Sequence, residues 1–260
     1  MFGHRLLALV AVLAMLLLGR AAPATAQDTF DHGYRAYADL LRAHVRGDRV
    51  DYRTLKANRA SLDALVHGFS TVSELDVQGW ARPHQIAFWI NAYNVFTLRA
   101  IVDHYPIEGS WFSRSPRNSI RQIDGVWTAL RWRAAGRDLT LDDIEHRILR
   151  PAYREPLVHF AVNCASVGCP PLAVEPYRAD VLDGQLDAAA RRYLASPQGL
   201  VVRGDVLSVS SLLKWYGEDF VERYAGRGPG SGTPVDRAIL GLIATFGPAE
   251  ADARAASGRA

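Results

Sequence analysis

From Pro83 to His104 the chain reads as one long helix that is apolar on nearly every side, carrying Ile86, Ala87, Phe88, Trp89, Ile90, Val95, Phe96, Leu98, Ala100 and Ile101. A helix with no polar face has to be enclosed by other elements, so this stretch demands a core wrapped around it. Pro83 suits a first helical turn, and Tyr105-Pro106 closes the segment.

The remaining elements read as its wrapping. Asp28 to Arg46 has Phe30, Tyr34, Tyr37, Leu41 and Val45 at helical spacing, and Leu55 to Phe69 forms a second amphipathic helix. Ser73 to Trp80 is a connector with room for a helical turn. Ile120 to Ile123, Val126 to Arg133 and Asp138-Leu139 read as short strands. Thr140-Leu141-Asp142-Asp143 resembles a capping box with Asp in the place of Glu, and starts a helix that Pro151 should end. Leu157 to Asn163 alternates like a strand. Ala179 to Ala195 is helical, and Leu200 to Ser210 is a hairpin around Gly204-Asp205. Ser211 can cap a helix over Leu212 to Tyr224, and Val235 to Phe246 is the last apolar helix. Strands and helices mix without strict alternation, which points to an α+β domain with a mixed or antiparallel short-stranded sheet packed against several helices.

The N-terminus reads as an export signal. A basic start through Arg5, an apolar run from Leu6 to Leu18, and Ala24-Thr25-Ala26 fit a cleaved leader over residues 1–26. Beyond it lie one domain over 27–247 and a disordered tail over 248–260. Cleavage removes Arg5 and Arg20 and no acid, so 28 basic residues remain against 27 acidic ones. The basic residues are nearly all Arg, scattered among acids with no stripe interleaved with aromatics, which argues against nucleic acid. The expectation is a periplasmic or secreted monomer with no membrane contact after cleavage and a small-molecule or cell-envelope substrate.

Several polar residues stand where an apolar one belongs. On a wheel of about 100° per residue starting at Leu141, Glu145 falls at about 40°, inside the arc of Ile144, Ile148 and Leu149, and His146 lies at its edge. A carboxylate on a buried face must be paired or must gain a proton. It is either a positioned acid beside a titratable histidine or half of a buried pair with an arginine. Asn91 and Asn94 share a face of the central helix, and their amides need partners there, from a neighbouring loop or from a substrate. In a strand over Leu157 to Asn163, His159 and Asn163 would point to the same side.

Cys164 and Cys169 are the only cysteines. Three readings are open. They form a disulfide bracing a short loop, as export favours; one is a reactive thiol activated by His146 or His159; or both join those histidines around zinc or copper, although no familiar ligand spacing supports a metal. Four intervening residues, where redox motifs have two, count against a disulfide oxidoreductase.

Three blocks, Ala87-Phe88-Trp89-Ile90-Asn91-Ala92-Tyr93-Asn94, Leu141 to Arg150, and His159-Phe160-Ala161-Val162-Asn163-Cys164 with Cys169-Pro170-Pro171, together resemble the domain of unknown function 547 family. The resemblance covers roughly Gln85 to Leu194. It implies one globular domain, commonly exported in bacteria, and carries no catalytic assignment. Its motif residues fall on Asn91, Asn94, Glu145, His146, His159, Asn163, Cys164 and Cys169. From the residues themselves, the first expectation is a thiol-dependent hydrolase or acyl transferase acting on an amide or ester of the cell envelope, without cofactor. Cys169 or Cys164 would be nucleophile, His146 or His159 base, and Glu145 or Asn91 orienter, with Asn94 and Asn163 placing substrate. The alternative is a non-enzymatic binding domain with a structural Cys164–Cys169 disulfide.

Overall fold

A computed structural model describes residues 30–110, 112–204, 206–249 and 251. The expected leader over 1–26 and most of the expected tail over 248–260 lie outside the described residues.

The central helix, α5 (Arg82–His104), takes its N1 turn from Pro83. From Ile86 to Leu98 every one of its residues is buried, Asn91 and Asn94 included. Its wrapping begins with α1 (Arg35–His44), α2 (Tyr52–Ala57), α3 (Ala60–Thr71) and α4 (Glu74–Gly79). The single helix expected over Leu55 to Phe69 is therefore two. Asp51 accepts the Thr54 N–H and starts α2. The connector at Ser73 is a helix with a full capping box between Ser73 and Asp76.

Helix makes up about 56% of the structure and strand 8%, so the class is α+β. The strands are short and antiparallel, as expected, and among the described residues they pair two by two. They form three separate antiparallel ribbons: β1 (Val45–Arg46) with β2 (Arg49–Val50), β3 (Trp132–Ala134) with β4 (Arg137–Leu139), and β5 (Leu200–Arg203) with β6 (Val206–Val209). The last is the expected hairpin, with Gly204 at φ +53°. Ile120–Gln122 is a 3₁₀ turn instead of a strand, and of Val126 to Arg133 residues 126–129 are turn and only Trp132 and Arg133 are strand.

Leu157 to Asn163 is likewise not a strand. Pro156–Phe160 is a 3₁₀ helix capped by the Glu155 carboxylate on the Leu157 N–H. Leu157 through Val162 are all buried, so no alternation of faces exists to be used. With no neighbouring strand to pair with, the backbone closes on itself: Val158 N–H bonds the Glu155 carbonyl at 3.2 Å and Ala161 N–H the Val158 carbonyl at 2.9 Å. A short apolar run fits a buried helical turn as well as a strand, and here the turn wins.

Downstream come α7 (Leu182–Leu194), α8 (Ser211–Trp215), the 3₁₀ turn Gly217–Phe220, α9 (Val221–Tyr224) and α10 (Pro234–Phe246). The cap of α8 is Ser210, one residue before the expected Ser211. Among the described residues no helix is long and apolar enough to cross a membrane.

Candidate functional site

Thr140 and Asp143 exchange backbone–side-chain hydrogen bonds at 3.0 Å, the reciprocal capping expected of this stretch. Past this cap the backbone departs from the expected α-helix. Asp143–Leu149 is a π-helix, and the Arg150 N–H reaches back five residues to the Glu145 carbonyl. Wide turns of this kind are rare and concentrate at functional sites. The wide turn runs into α6 (Arg150–Tyr153), where Pro151 sits in the first turn instead of ending the helix.

Glu145 is buried, as the wheel predicts, at 8% exposure. It is not paired with an arginine. Its carboxylate meets the phenols of Tyr93 on α5 and Tyr216, just after α8. Burial first, and the Glu145 charge and hydrogen bond next, push both phenols well above the ordinary tyrosine value. The third neighbour is His159, whose Nδ1 lies 3.8 Å from Glu145 Oε1.

His159 is 2% exposed and lies flat against Tyr216, with ring centroids 4.0 Å apart. Its Nε2 donates to Asp219 Oδ2 at 2.7 Å. The same carboxylate receives a two-point contact from Arg150, Nε to Oδ2 at 2.6 Å and Nη2 to Oδ1 at 3.0 Å. Burial alone would raise the Asp219 carboxyl. The His159 and Arg150 hydrogen bonds and charges outweigh it and hold the group well below the usual range, so it is an ionised acceptor. His159 Nδ1, by contrast, is buried with no hydrogen-bond partner.

His146 is less buried. Its Nδ1 accepts from Arg150 Nη1 at 3.1 Å, and its Nε2 faces Asp142 Oδ1 at 3.3 Å. The Arg150 guanidinium also lies 4.9 Å from the Tyr216 ring centroid. Arg150 thus ties both histidines, Asp219 and Tyr216 into one cluster. That cluster opens on a cleft of about 750 Å³ lined by His146, Arg150, His159 and Asp219, together with Arg154, Glu155, Glu218, Glu222 and Arg223. Arg154 stands at φ 44° just past α6, a left-handed conformation that costs a side-chain-bearing residue roughly 1–2 kcal/mol.

The asparagines turn inward to the backbone. Asn91 bonds Tyr177 through both its groups, Nδ2 to the carbonyl at 2.8 Å and Oδ1 from the N–H at 3.0 Å. Asn94 joins the Ala161 carbonyl at 3.0 Å to the Asn163 N–H at 2.8 Å. Asn163 then spans the cysteine loop, from the Pro170 carbonyl to the Ala165 N–H.

Cys164 and Cys169 are bonded to each other, and no free cysteine exists among the described residues. Neither lines the cleft that holds the histidines. A thiolate nucleophile is therefore absent from this state, since a sulfur in a disulfide has no thiolate to offer. No group of three or more His, Cys, Asp or Glu with metal-binding geometry occurs among the described residues. A further groove of about 450 Å³, lined by Tyr37, Phe69 and Trp80 among others, contains none of the predicted residues.

Sequence reasoning thus finds Glu145, His146 and His159, which converge. It misses Tyr93, Arg150, Tyr216 and Asp219. Asp219 carries a usable signal: on a wheel of about 100° per residue from Leu212, it falls at about 340°, in the apolar arc with Tyr216.

Fold and site together define a helix-rich α+β domain that encloses a polar cluster beside its central helix and opens it on one cleft. Residues 77–194 match the family described as "Protein of unknown function, DUF547", which supports the resemblance to that family over this stretch. All three motif blocks lie inside the match, whereas Tyr216 and Asp219 lie beyond it. No curated protein and no solved structure gives a match.

Proposed function

We propose that this is an exported domain that binds a small charged ligand of the cell envelope in the cleft beside His146, His159 and Asp219. The Cys164–Cys169 disulfide braces the neighbouring loop and takes no part in chemistry. The observation that carries the reading is the separation of the two features: the histidines and Asp219 line the cleft, with Glu145 buried next to His159, while both sulfurs are paired and outside its lining. The basic and apolar N-terminal leader supports export. A thiol-dependent hydrolase or acyl transferase is the second reading. The half-exposed position of both cysteines favours it, and it requires reduction of the disulfide before any turnover.

A thiol count on protein taken from the periplasm under non-reducing conditions, paired with an NMR titration of the low-molecular-weight fraction of a periplasmic extract, tests both. The binding reading expects no free thiol and shifted resonances at the cleft, with weaker shifts in His146→Ala. A free thiol that reacts quickly with iodoacetamide, and more slowly in His146→Ala, would favour the thiol enzyme instead.

A further inference from the structure

The ion pairs of the cleft leave part of its charge unused. Arg150 is engaged by Asp219 and His146, and Arg223 by Glu155. Arg154, Glu218 and Glu222 line the same cleft and make no ion pair and no side-chain hydrogen bond among the described residues. Glu218 and Glu222 stand four residues apart on the consecutive turns Gly217–Phe220 and Val221–Tyr224. Both carboxylates line the one cleft, where like charges repel each other, and a cation between them relieves the repulsion.

The balance of fixed charge restricts what could fill the site. Three arginines (Arg150, Arg154, Arg223) face four acids (Glu155, Glu218, Asp219, Glu222) around the cleft. A multiply charged anion would meet a net negative wall, and a polycation would meet the unpaired Arg154. A ligand with one charge of each sign satisfies both remainders. His159 lines the same cleft beside Asp219, and its buried Nδ1, turned to Glu145, has no hydrogen-bond partner.

We propose that the cleft binds a zwitterion of the amino-acid or short-peptide class, with its carboxylate on Arg154 and its ammonium between Glu218 and Glu222. The proposal rests on the reading of the cleft as a ligand site and narrows it to one chemistry.

The test is NMR titration of the folded full-length mature chain with L-alanyl-L-alanine and with two probes that each lack one charge, N-acetyl-L-alanine and L-alaninamide. The dipeptide is expected to bind with a Kd of about 1 mM or tighter, and each single-charge probe about tenfold more weakly or less. Arg154→Gln should abolish the dipeptide's advantage over the amide. The Glu218→Gln/Glu222→Gln double variant should abolish its advantage over the acetylated probe. All three side chains are exposed, so these variants should retain the fold, which circular dichroism verifies. Equal binding of the three probes, or no dipeptide binding up to about 20 mM, overturns the proposal. If a periplasmic extract still shifts the cleft resonances in that second case, the cleft holds a ligand of another class. If the extract is silent too, the cleft reading falls with it.

Discussion

Two sets of buried polar side chains flank the core of this molecule, and they end differently. Asn91 and Asn94 on α5 close every contact on backbone, each amide using its carbonyl and its NH₂ at 2.8–3.0 Å. Glu145 and His159 bond to other side chains, Tyr93, Tyr216 and Asp219, and that network reaches a cleft with His159 Nδ1 left over. A polar residue whose bonds return to the backbone holds loops in place. One whose bonds pass from side chain to side chain towards solvent retains capacity for a ligand. Both sets look alike in sequence, as polar residues on an apolar face.

The comparison breaks first at the asparagines. Asn94→Ala leaves the Ala161 carbonyl and the Asn163 N–H unpaired in a buried place, and Asn91→Ala does the same to Tyr177. Each should lower stability by about 3 kcal/mol, the cost of two stranded backbone groups. Urea unfolding should show it as a lower midpoint at unchanged slope. Binding per folded molecule should stay as in the wild type. A loss below about 1 kcal/mol, or a selective loss of binding, would move the asparagines to the functional side.

Asp219→Asn is next, at about 2 kcal/mol, because it weakens charge-assisted bonds from Arg150 and His159 at once. Its pH dependence is distinctive. The folded carboxyl is held below its unfolded value of about 3.9, so the contribution is fully present above that pH and disappears as pH falls through the folded value. The stability gap between wild type and variant should therefore be flat from about pH 7 to 5 and close below about pH 4. A gap that widens in acid would contradict the ionised Asp219 on which the site is built.

Removing both sulfurs tests the loop against the cleft. Cys164→Ser/Cys169→Ser opens a loop with a sequence separation of 5, which chain entropy values at about 2 kcal/mol. Ligand binding in the cleft should survive. Its complete loss in a variant that still melts cooperatively would tie the cysteine loop to the site.

The reach of the sequence divides along the same line. Burial was legible wherever periodicity was strong: the apolar girdle of α5 and the wheel position of Glu145 both predict what the fold does. The path of the backbone was less so. The alternation from Leu157 to Asn163 resembles a strand, yet full burial without a pairing partner leaves only local bonds, and His159 reaches Asp219 from a 3₁₀ turn. The π-helix is invisible to a wheel drawn at α-helical spacing. Arg150 and Asp219 lie 69 residues apart, and no local pattern announces that they meet. The wheel of the Leu212 helix could have flagged Asp219 as it did Glu145, but nothing in either pattern names the partner.

His146 sharpens the comparison most finely, because it belongs to the cluster without being buried by it. Its side chain is 31% exposed; its contact to Arg150 runs along the cleft wall, and its contact to Asp142 lies beside it. Water can replace both in His146→Ala, since neither partner loses its other contacts: Arg150 keeps Asp219, and Asp142 is itself 44% exposed. The expected stability loss is about 0.5 kcal/mol, within the ordinary range for surface positions. Ligand affinity should fall by more than that loss, because Arg150 then has one fewer group holding its orientation at the cleft. Thermal unfolding and NMR titration on the same sample separate the two effects. A large loss of stability with unchanged affinity would place His146 with the asparagines, as a clamp for the π-helix, and the functional cluster would contract to Glu145, His159 and Asp219.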